Sequence, residues 1–427
     1  MKHVNLRQLL AFVFLSVWVA TQALAQGLPQ GRPERLGFDP VRLARLDPIL
    51  QSYIDDQRLA GSVALVLRDG RIVYSSAKGM SNIEAGLPMR EDSIFRIASQ
   101  TKAIVSTGIM MLHERGDLQI SDPLSRYFPE WAKVQVAQPK ADGGYDLVPI
   151  SRPITLRDLL THTSGIGYGL GGVALDAWQQ AGIAGWYFAN KNEPIGTTVA
   201  RMAALPMQAQ PGEQWIYGYN LDILGAVIEK VSGQSLADFL QQEIFTPLGM
   251  RDTHFYLPPE KAGRLAVVYT PKTGGGIERI RETGGMQSQG MYVEGPRRSY
   301  SGGAGLLSTA GDYARFLQMT LNGGEFNGKR LLSPKTIELM TSNHLRDIPF
   351  QPGTGFGLGF SIAMDLGARG TLGSVGEYGW GGAYHSTYWV DPVEKLVVVY
   401  LSQLIPAPGI DDFSKLRAGI YQALVKP

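Results

Sequence analysis

The sequence predicts an α+β fold in which one antiparallel sheet is completed by both ends of the chain and flanked by helices. Strand-like stretches occur near the start, at residues 63–74, and again near the end, at residues 357–401. The residues between them show mainly helical spacing, which is typical of an inserted all-helical region. We therefore predict an α/β domain formed by residues 26–98 and 301–427, and a mainly helical domain formed by residues 99–300.

The first 25 residues have the pattern of a secretory signal peptide. Lys2 and Arg7 precede an apolar run at residues 9–20, and small residues follow at Ala23 and Ala25. The apolar run is too short for a comfortable membrane span. We expect cleavage near Ala25, a periplasmic or secreted mature protein, and no stable membrane anchor after cleavage.

The composition argues against several kinds of chemistry. The 427 residues include no cysteine, so the chain has neither a disulfide framework nor a thiolate nucleophile. The formal net charge is only +2, which disfavours nucleic acid as a partner. The six histidines do not have the spacing of metal ligands. We predict a small-molecule substrate, no cofactor and no metal, whereas the sequence does not indicate an oligomeric state.

The N-terminal elements follow from local patterns. Asp39 and Pro40 open a helix whose apolar residues recur at helical spacing as far as Ile54. Residues 63–74 flank an Asp69–Gly70 pair, which predicts a β-hairpin with a tight turn. The stretch from Ser99 to Gly116 is apolar on nearly every face, so we expect a buried helix that ends at this glycine.

The later elements are predicted in the same way. Residues 133–153, which are rich in Gly and Pro, indicate a surface excursion, and we interpret the aromatic-bearing residues 167–183 as a lid over a pocket. Residues 263–297 are polar and glycine-rich, with little periodicity. The predicted helices are 155–160, 222–231, 236–244, one after Thr309, and 411–425; the predicted strands are 357–362, 386–390 and 396–401.

Ser99 and Lys102 are the first candidates for catalysis. Because they lie three residues apart at the start of a helix, the hydroxyl and the amine project from the same face. A charged lysine in an otherwise dry helix is costly, and burial favours its neutral form. The pair therefore predicts a serine nucleophile whose proton is taken by the lysine. The spacing alone is a weak signal, since Ser75 and Lys78 repeat it at the end of the predicted hairpin.

Several motifs in a fixed order extend this pair. They are Phe95–Arg96–Ile97–Ala98 before Ser99, His162–Thr163–Ser164–Gly165, Pro211–Gly212–Glu213 leading to Tyr217 and Asp222, residues 302–312, and Trp380–Gly381–Gly382 followed by Tyr388–Trp389–Val390–Asp391–Pro392. Together they resemble the serine β-lactamase and penicillin-binding-protein superfamily, and most of all the class C β-lactamase-like carboxylesterases called family VIII esterases. The resemblance implies a β-lactamase-like fold and a serine carboxylesterase for short-chain acyl esters, with a side activity on β-lactams such as cephalosporins.

The same resemblance implies a role for each motif. Tyr217 would stand beside Lys102 and shuttle protons between Ser99 and the leaving group. The strand that carries Trp380 would form a wall of the cleft, and the backbone N–H of Ala383 would join that of Ser99 in an oxyanion hole. Whether Lys102 or Tyr217 is the general base stays open, because the two groups titrate as a coupled unit.

Two positions depart from the β-lactamase pattern. Trp380 stands where β-lactamases carry a lysine for the lactam carboxylate, and Tyr219 replaces the asparagine of the second motif, with Asn220 one place late. Both changes favour neutral acyl esters, and we assign Tyr219 and His385 as substrate contacts. The literal Lys272–Thr273–Gly274 matches the β-lactamase form of the third motif, but we interpret it as coincidence because no strand is predicted after it.

Other functions stay open on the sequence alone. A Ser-His-Asp hydrolase would use His162 or His385 as its base, although the chain has no Gly-x-Ser-x-Gly elbow. Within the superfamily, a β-lactamase or a peptidase acting on D-amino-acid peptides of the cell wall is the alternative to an esterase. A non-catalytic binding or sensor protein on the same scaffold is the alternative from a different class.

Overall fold

The computed structural model describes residues 27–141, 143–284 and 289–426. The predicted signal peptide, residues 1–25, lies outside the described residues. Within the described part, no helix is both long and apolar enough to cross a membrane. The predicted α+β architecture, an antiparallel sheet flanked by helices, is confirmed.

Eight antiparallel strands form the main sheet, and both ends of the chain contribute to it. They are β1 (Gly61–Arg68), β2 (Arg71–Asn82), β3 (Leu87–Pro88), β4 (Thr354–Phe356), β5 (Ser361–Ala363), β6 (Tyr378–Gly382), β7 (Ser386–Asp391) and β8 (Leu396–Ser402). Their order across the sheet is β4-β5-β6-β7-β8-β1-β2-β3. The last strand therefore pairs with the first, with Val63 opposite Leu401. Both chain ends complete one sheet, as predicted.

The longer helices of the described chain lie where the sequence predicts them, with small shifts at their ends. They are α1 (Leu46–Asp55), α2 (Thr101–Arg115), α3 (Asn220–Ser232), α4 (Ala310–Leu321) and α5 (Asp412–Ala423). Shorter helices are Pro40–Leu43, Leu156–Leu160, Leu175–Gln180, Ile195–Met202, Leu236–Leu240, Thr246–Leu248, Met291–Glu294, Pro334–Met340 and Leu366–Arg369. Gly116 ends α2 in the left-handed conformation, as predicted.

Strand β1 is buried along its whole length, because helices cover both faces of the sheet. Val63, Leu65 and Leu67 face the large core that the sheet shares with α2, α3 and α4. Ala64 and Val66 point the opposite way, as alternate residues of a strand do. They pack in a second core with residues of α1 and α5, which come from the two chain ends.

Several predicted elements differ from those observed. The predicted helix from Asp39 to Ile54 is interrupted at Ala44 and Arg45 and forms two helices, Pro40–Leu43 and α1. The predicted strand at 357–362 is mostly the turn between β4 and β5, closed by a hydrogen bond from the Gly357 N–H to the Phe360 carbonyl. The predicted helix at 236–244 changes to a π-helical turn from Gln241 to Phe245.

Two segments predicted as irregular contain paired strands. Gln135–Pro139 pairs with Tyr145–Pro149 within the expected surface excursion, and Val136 is buried there. Tyr269–Pro271 pairs with Ile277–Arg279 in the glycine-rich region, so a short strand does follow Lys272–Thr273–Gly274. These three residues lie in the turn of that hairpin. The remaining two-stranded pairs are Phe95–Arg96 with Leu307–Ser308 and Glu325–Phe326 with Lys329–Arg330.

An ion-paired cluster ties the chain before Ser99 to the middle of the molecule. Arg264 donates to both carboxylate oxygens of Asp252, at 2.9 and 2.8 Å, and to the carbonyl of Asp92. Lys261 lies 3.0 Å from the same carboxylate. Burial acts to raise the pKa of Asp252, but the hydrogen bonds and charges of Arg264 and Lys261 outweigh it and lower the pKa to about 2.

Candidate active site

Ser99 lies at the entrance to the buried helix α2. It occupies a single 3-10 turn, Ala98–Gln100, which leads directly into the helix. The preceding residue, Ala98, has a φ of +43°, a conformation that is costly for a residue with a side chain and that is typical of functional sites. The turn directs Ser99 into a cleft while its neighbours Ala98 and Gln100 are buried.

Three groups of the site lie within hydrogen-bond distance of the Lys102 amine. Lys102 is 1% exposed, and its Nζ donates to Ser99 Oγ at 3.3 Å, to Tyr168 Oη at 2.9 Å and to the Gly303 carbonyl oxygen at 2.8 Å. The predicted contact between Ser99 and Lys102 is therefore present. The second copy of the spacing is different, because Ser75 donates to Glu91, and Lys78 is paired with Asp47 on the protein surface.

Tyr217 stands beside Lys102, but through its ring rather than its hydroxyl. The Lys102 Nζ lies 4.5 Å from the centre of the Tyr217 ring, within the range of a cation–π contact. The Tyr217 Oη accepts a hydrogen bond of 3.0 Å from Trp380 Nε1. Since no described group accepts from the Tyr217 hydroxyl, its own proton is free to be donated into the cleft.

Tyr168 supplies the phenol that is hydrogen-bonded to Lys102, and the sequence reasoning missed it. The available signal is its place in the aromatic-bearing segment 167–183, which we interpret as a lid over a pocket. Tyr168 lines the cleft beside Ser99. Burial, followed by the nearby Tyr217, Asp222 and Tyr219, raises the pKa of the Tyr168 hydroxyl well above its ordinary value.

The cleft has a volume of about 580 Å³ and a largely aromatic wall near Ser99. Tyr168, Trp186, Tyr217 and Trp380 line it, together with Leu170. The charged side chains among its described lining residues are tied to one another: Arg369 and Arg417 each donate to Glu377, at 2.9 and 2.6 Å. Apart from this group, the cleft presents neutral surface to a substrate.

Strand β6 packs closely against the backbone that leads into Ser99. A Cβ atom added to Gly382 would lie 2.4 Å from the Ile97 carbonyl oxygen, so only glycine fits there without a shift. Ala383 follows this strand and lines the cleft, as Ser99 does. Neither backbone amide takes part in the turn and loop hydrogen bonds between backbone groups of the described chain. Two backbone amides at the cleft can stabilise a negatively charged oxygen.

Neither of the two predicted substrate contacts lies in the cleft, and both assignments are corrected. Tyr219 is fully buried and donates its hydroxyl to the carbonyls of Gly185 and Tyr168, at 2.7 and 3.2 Å. His385 is also buried, and its Nε2 lies 2.8 and 2.9 Å from the two carboxylate oxygens of Asp412. Both side chains support the cleft from behind. Both residues lie next to catalytic motifs in the sequence, but a sequence position does not show whether a side chain points into the cleft or away from it.

The arrangement does not match a Ser-His-Asp triad. His162 is buried, its Nδ1 accepts from the Asn220 side-chain amide at 2.8 Å, and its ring packs 4.7 Å from that of Tyr217. Burial and then the charge of Lys102 lower the pKa of His162 well below its usual range. Neither His162 nor His385 is hydrogen-bonded to Ser99. Asn220 is turned inward to His162 and does not compensate for the missing asparagine of the second motif.

Comparison with known proteins gives relatives along almost the whole chain. The family model described as Beta-lactamase matches residues 46–416. Esterase EstB of Burkholderia gladioli is 34% identical over 388 residues, covering 87% of this chain and 93% of that protein. Lovastatin esterase of Penicillium rubens is 31% identical over 389 residues, covering 85% and 94%.

The solved structures agree with this result. EstCE1, described as a hydrolase with promiscuous acyltransferase activity, superposes with a TM-score of 0.76 at 28% sequence identity. The match covers 89% of this chain and 99% of that chain. The similarity therefore includes both the sheet from the chain ends and the helical region between them.

Proposed function

The chain is a serine hydrolase that belongs to the Beta-lactamase family, and we propose that it is a carboxylesterase which hydrolyses short-chain acyl esters through an acyl-enzyme on Ser99. The observation that carries this proposal is the contact of 3.3 Å between Ser99 Oγ and the buried Lys102 Nζ. The names of EstB and lovastatin esterase agree with ester hydrolysis.

Acylation begins when Ser99 Oγ attacks the carbonyl carbon of the ester and its proton passes to the neutral amine of Lys102. The carbonyl oxygen gains the negative charge, which the amides of Ser99 and Ala383 stabilise. The ester C–O bond then breaks, and the alcohol leaves with a proton. We assign this proton transfer to Tyr217, whose hydroxyl accepts from Trp380 and keeps its own proton for donation.

Deacylation repeats these reaction steps with water in place of Ser99 as the nucleophile. Water attacks the acyl carbon and gives a proton to the Tyr217 oxygen that protonated the alcohol. The bond between the acyl carbon and Ser99 Oγ then breaks, and Ser99 Oγ recovers its proton from Lys102. Tyr168, which is bonded to Lys102 at 2.9 Å, is the second phenol within this relay. Because Lys102 contacts both phenols, we assign the pH dependence of the reaction to the three side chains together rather than to a single residue.

The lining of the cleft favours uncharged esters over anionic lactams. Trp380 offers an apolar surface and one indole donor, and that donor is already bonded to Tyr217. The cationic side chains of the lining, Arg369 and Arg417, are bonded to Glu377. A β-lactam would meet the same acylation groups. Its carboxylate, however, would have to compete with that of Glu377 for Arg369 or Arg417, so we expect cephalosporin hydrolysis only as a side activity.

The test is a comparison of substrates and of matched variants. We expect kcat/KM to be larger for p-nitrophenyl butyrate than for a chromogenic cephalosporin or for release of D-alanine from a cell-wall peptide. Ser99→Ala and Lys102→Ala should abolish turnover, whereas Ser75→Ala and Lys78→Ala, the second copy of the spacing, should retain it. Full activity of Ser99→Ala would exclude Ser99 as the nucleophile. A larger kcat/KM for the cephalosporin than for the ester would indicate that the enzyme is a β-lactamase.

The two tyrosines can be separated with the same assay. Tyr217→Phe should lose at least about 10²-fold in kcat, the usual contribution of a general acid or base. Tyr168→Phe removes one hydrogen bond from Lys102 and should lose less. The opposite ranking would transfer the role of proton donor to Tyr168. A fluorophosphonate probe that labels neither wild type nor these variants would indicate a non-catalytic protein.

We also propose that the mature protein is periplasmic or secreted, on the basis of the charged, apolar and small-residue pattern of residues 1–25. N-terminal sequencing of the protein recovered from cells should give a first residue near Gln26. An intact Met1 in the purified protein would contradict the proposal.

A further inference from the structure

Asp222 is a buried carboxylate that the proposed reaction does not use directly. It lies in the first turn of α3 and is fully buried. One of its oxygens, Oδ1, accepts from Ser301 Oγ at 2.5 Å and from the Gly303 backbone N–H at 3.1 Å. The Ser301 hydroxyl oxygen in turn accepts from the Ala304 N–H at 3.0 Å. The chain from Ser301 to Ala304 is therefore folded around this carboxylate.

The same short segment presents a carbonyl to the catalytic amine. The Gly303 N–H can approach the Asp222 carboxylate this closely only because Gly303 has no side chain, since an added Cβ would lie 2.3 Å from Asp222 Oδ2. Its carbonyl oxygen accepts from Lys102 Nζ at 2.8 Å, the shortest of the three hydrogen bonds of that amine. Asp222 is thus connected to Lys102 through a single residue.

Charge adds to this connection. The groups around the Lys102 amine are Ser99 and the tyrosines Tyr168 and Tyr217, with His162 nearby, and Asp222 is the carboxyl group that interacts with it. Tyr168 and Tyr219 are the other titratable groups that face Asp222. Burial raises the pKa of Asp222, while the Ser301 hydrogen bond and the charge of Lys102 act in the opposite direction. The other carboxylate oxygen, Oδ2, has no hydrogen-bond partner among the described residues.

We propose that Asp222 is a positioning residue for Lys102, an inference that rests on the proposed function. Asp222 fixes the Gly303 carbonyl that accepts from the Lys102 amine, and it supplies a negative charge close to that amine when the amine is protonated. When Lys102 takes the proton of Ser99, the new ammonium is stabilised by this carboxylate. Asp222 touches neither the substrate nor the reacting atoms.

The substitution Asp222→Asn isolates the charge. Its side-chain oxygen can still accept from Ser301 and Gly303, and its amide replaces an oxygen that has no partner in the described chain. The substitution removes a negative charge that favours the protonated amine over the neutral, reactive amine. We expect the acid limb of the kcat/KM profile for p-nitrophenyl butyrate to move down by about 1 pH unit. We expect kcat to fall about 10- to 100-fold, with KM changed less than about threefold.

Ser301→Ala is the matched control. It removes one hydrogen bond to the carboxylate but leaves its charge, so kcat should fall about three- to tenfold while the acid limb stays in place. An acid limb that is unchanged in a folded Asp222→Asn, with kcat within twofold of wild type, overturns the proposal. If Asp222→Asn does not fold, Ser301→Ala decides alone, and a kcat equal to wild type overturns it. Activity of Ser99→Ala would instead refute the proposed function, so the two failures are distinguishable.

Discussion

Gly382→Ala tests whether the close packing of β6 against the backbone before Ser99 is needed for turnover. The alanine Cβ would lie 2.4 Å from the Ile97 carbonyl oxygen and 2.5 Å from Ser386 Oγ. Ordinary van der Waals contact begins at 3.4 Å, so strand and backbone must separate by about 1 Å. This separation displaces the Ala383 amide from the Ser99 amide, and the oxyanion hole of the proposed mechanism is lost in part.

The expected effect is large and specific for the chemical step. A displacement of about 1 Å in an active site costs about 10²-fold, and the loss of one oxyanion donor costs about 10²–10³-fold in kcat. We expect kcat for p-nitrophenyl butyrate to fall by these factors, with KM within about threefold because Tyr168, Trp186 and Tyr217 line the cleft from outside β6. Initial rates at saturating substrate measure the first quantity, and circular dichroism shows whether the variant is folded.

Two other glycines provide matched controls. An alanine Cβ at Gly381, on the same strand, would meet only the Ser386 carbonyl oxygen within 4 Å, at 2.9 Å, and should cause a smaller loss. A Cβ at Gly290 would meet nothing within 4 Å, so Gly290→Ala should behave as wild type. A folded Gly382→Ala that keeps more than about a tenth of the wild-type kcat would refute the reasoning.

Three further predictions follow from individual contacts. Trp380→Phe removes the indole donor 3.0 Å from Tyr217 Oη and should lower kcat about five- to tenfold, the equivalent of one hydrogen bond; an unchanged kcat would show that this bond does not orient the phenol. Asp412→Ala removes the buried partner of His385 and should lower the free energy of unfolding, measured with urea, by about 2–3 kcal/mol; a loss below about 0.5 kcal/mol would contradict this. Asp252 has a pKa lowered to about 2, below its ordinary value, so it contributes stability above about pH 4 that is lost as the pH falls towards 2. Asp252→Asn should therefore lower the free energy of unfolding by about 2 kcal/mol at pH 7 and by progressively less below pH 4, and a difference that stays constant down to pH 2 would be contrary evidence.

The contact between Ser99 and Lys102 was predictable because it depends only on local geometry. Two residues three positions apart at the start of a helix must project from one face. The hairpin around Asp69 and Gly70 was predictable for the same reason, since both residues adopt the positive φ values that such a tight turn requires. The pairing of the two chain ends followed from strand patterns at both ends of the sequence.

Contacts that depend on distant elements were not predictable from single positions. Tyr168 reaches Lys102 because the buried Tyr219 hydroxyl holds the Tyr168 carbonyl, a contact without any periodic pattern. His385 lies next to the Trp380 motif, but its partner Asp412 comes from the last helix and turns the ring away from the cleft. The paired strands around Val136 were hidden by their Gly and Pro content, which reads as a loop.

The pairing of β1 with β8 also governs when the molecule can fold. The strand at residues 61–68 leaves the ribosome long before its partner at residues 396–402 has been synthesised. Until then, an apolar strand with an open hydrogen-bonding edge is exposed to association with other chains. The polypeptide thus acquires its central pairing only near the end of translation, so a chain truncated before Leu396 retains that vulnerable edge permanently.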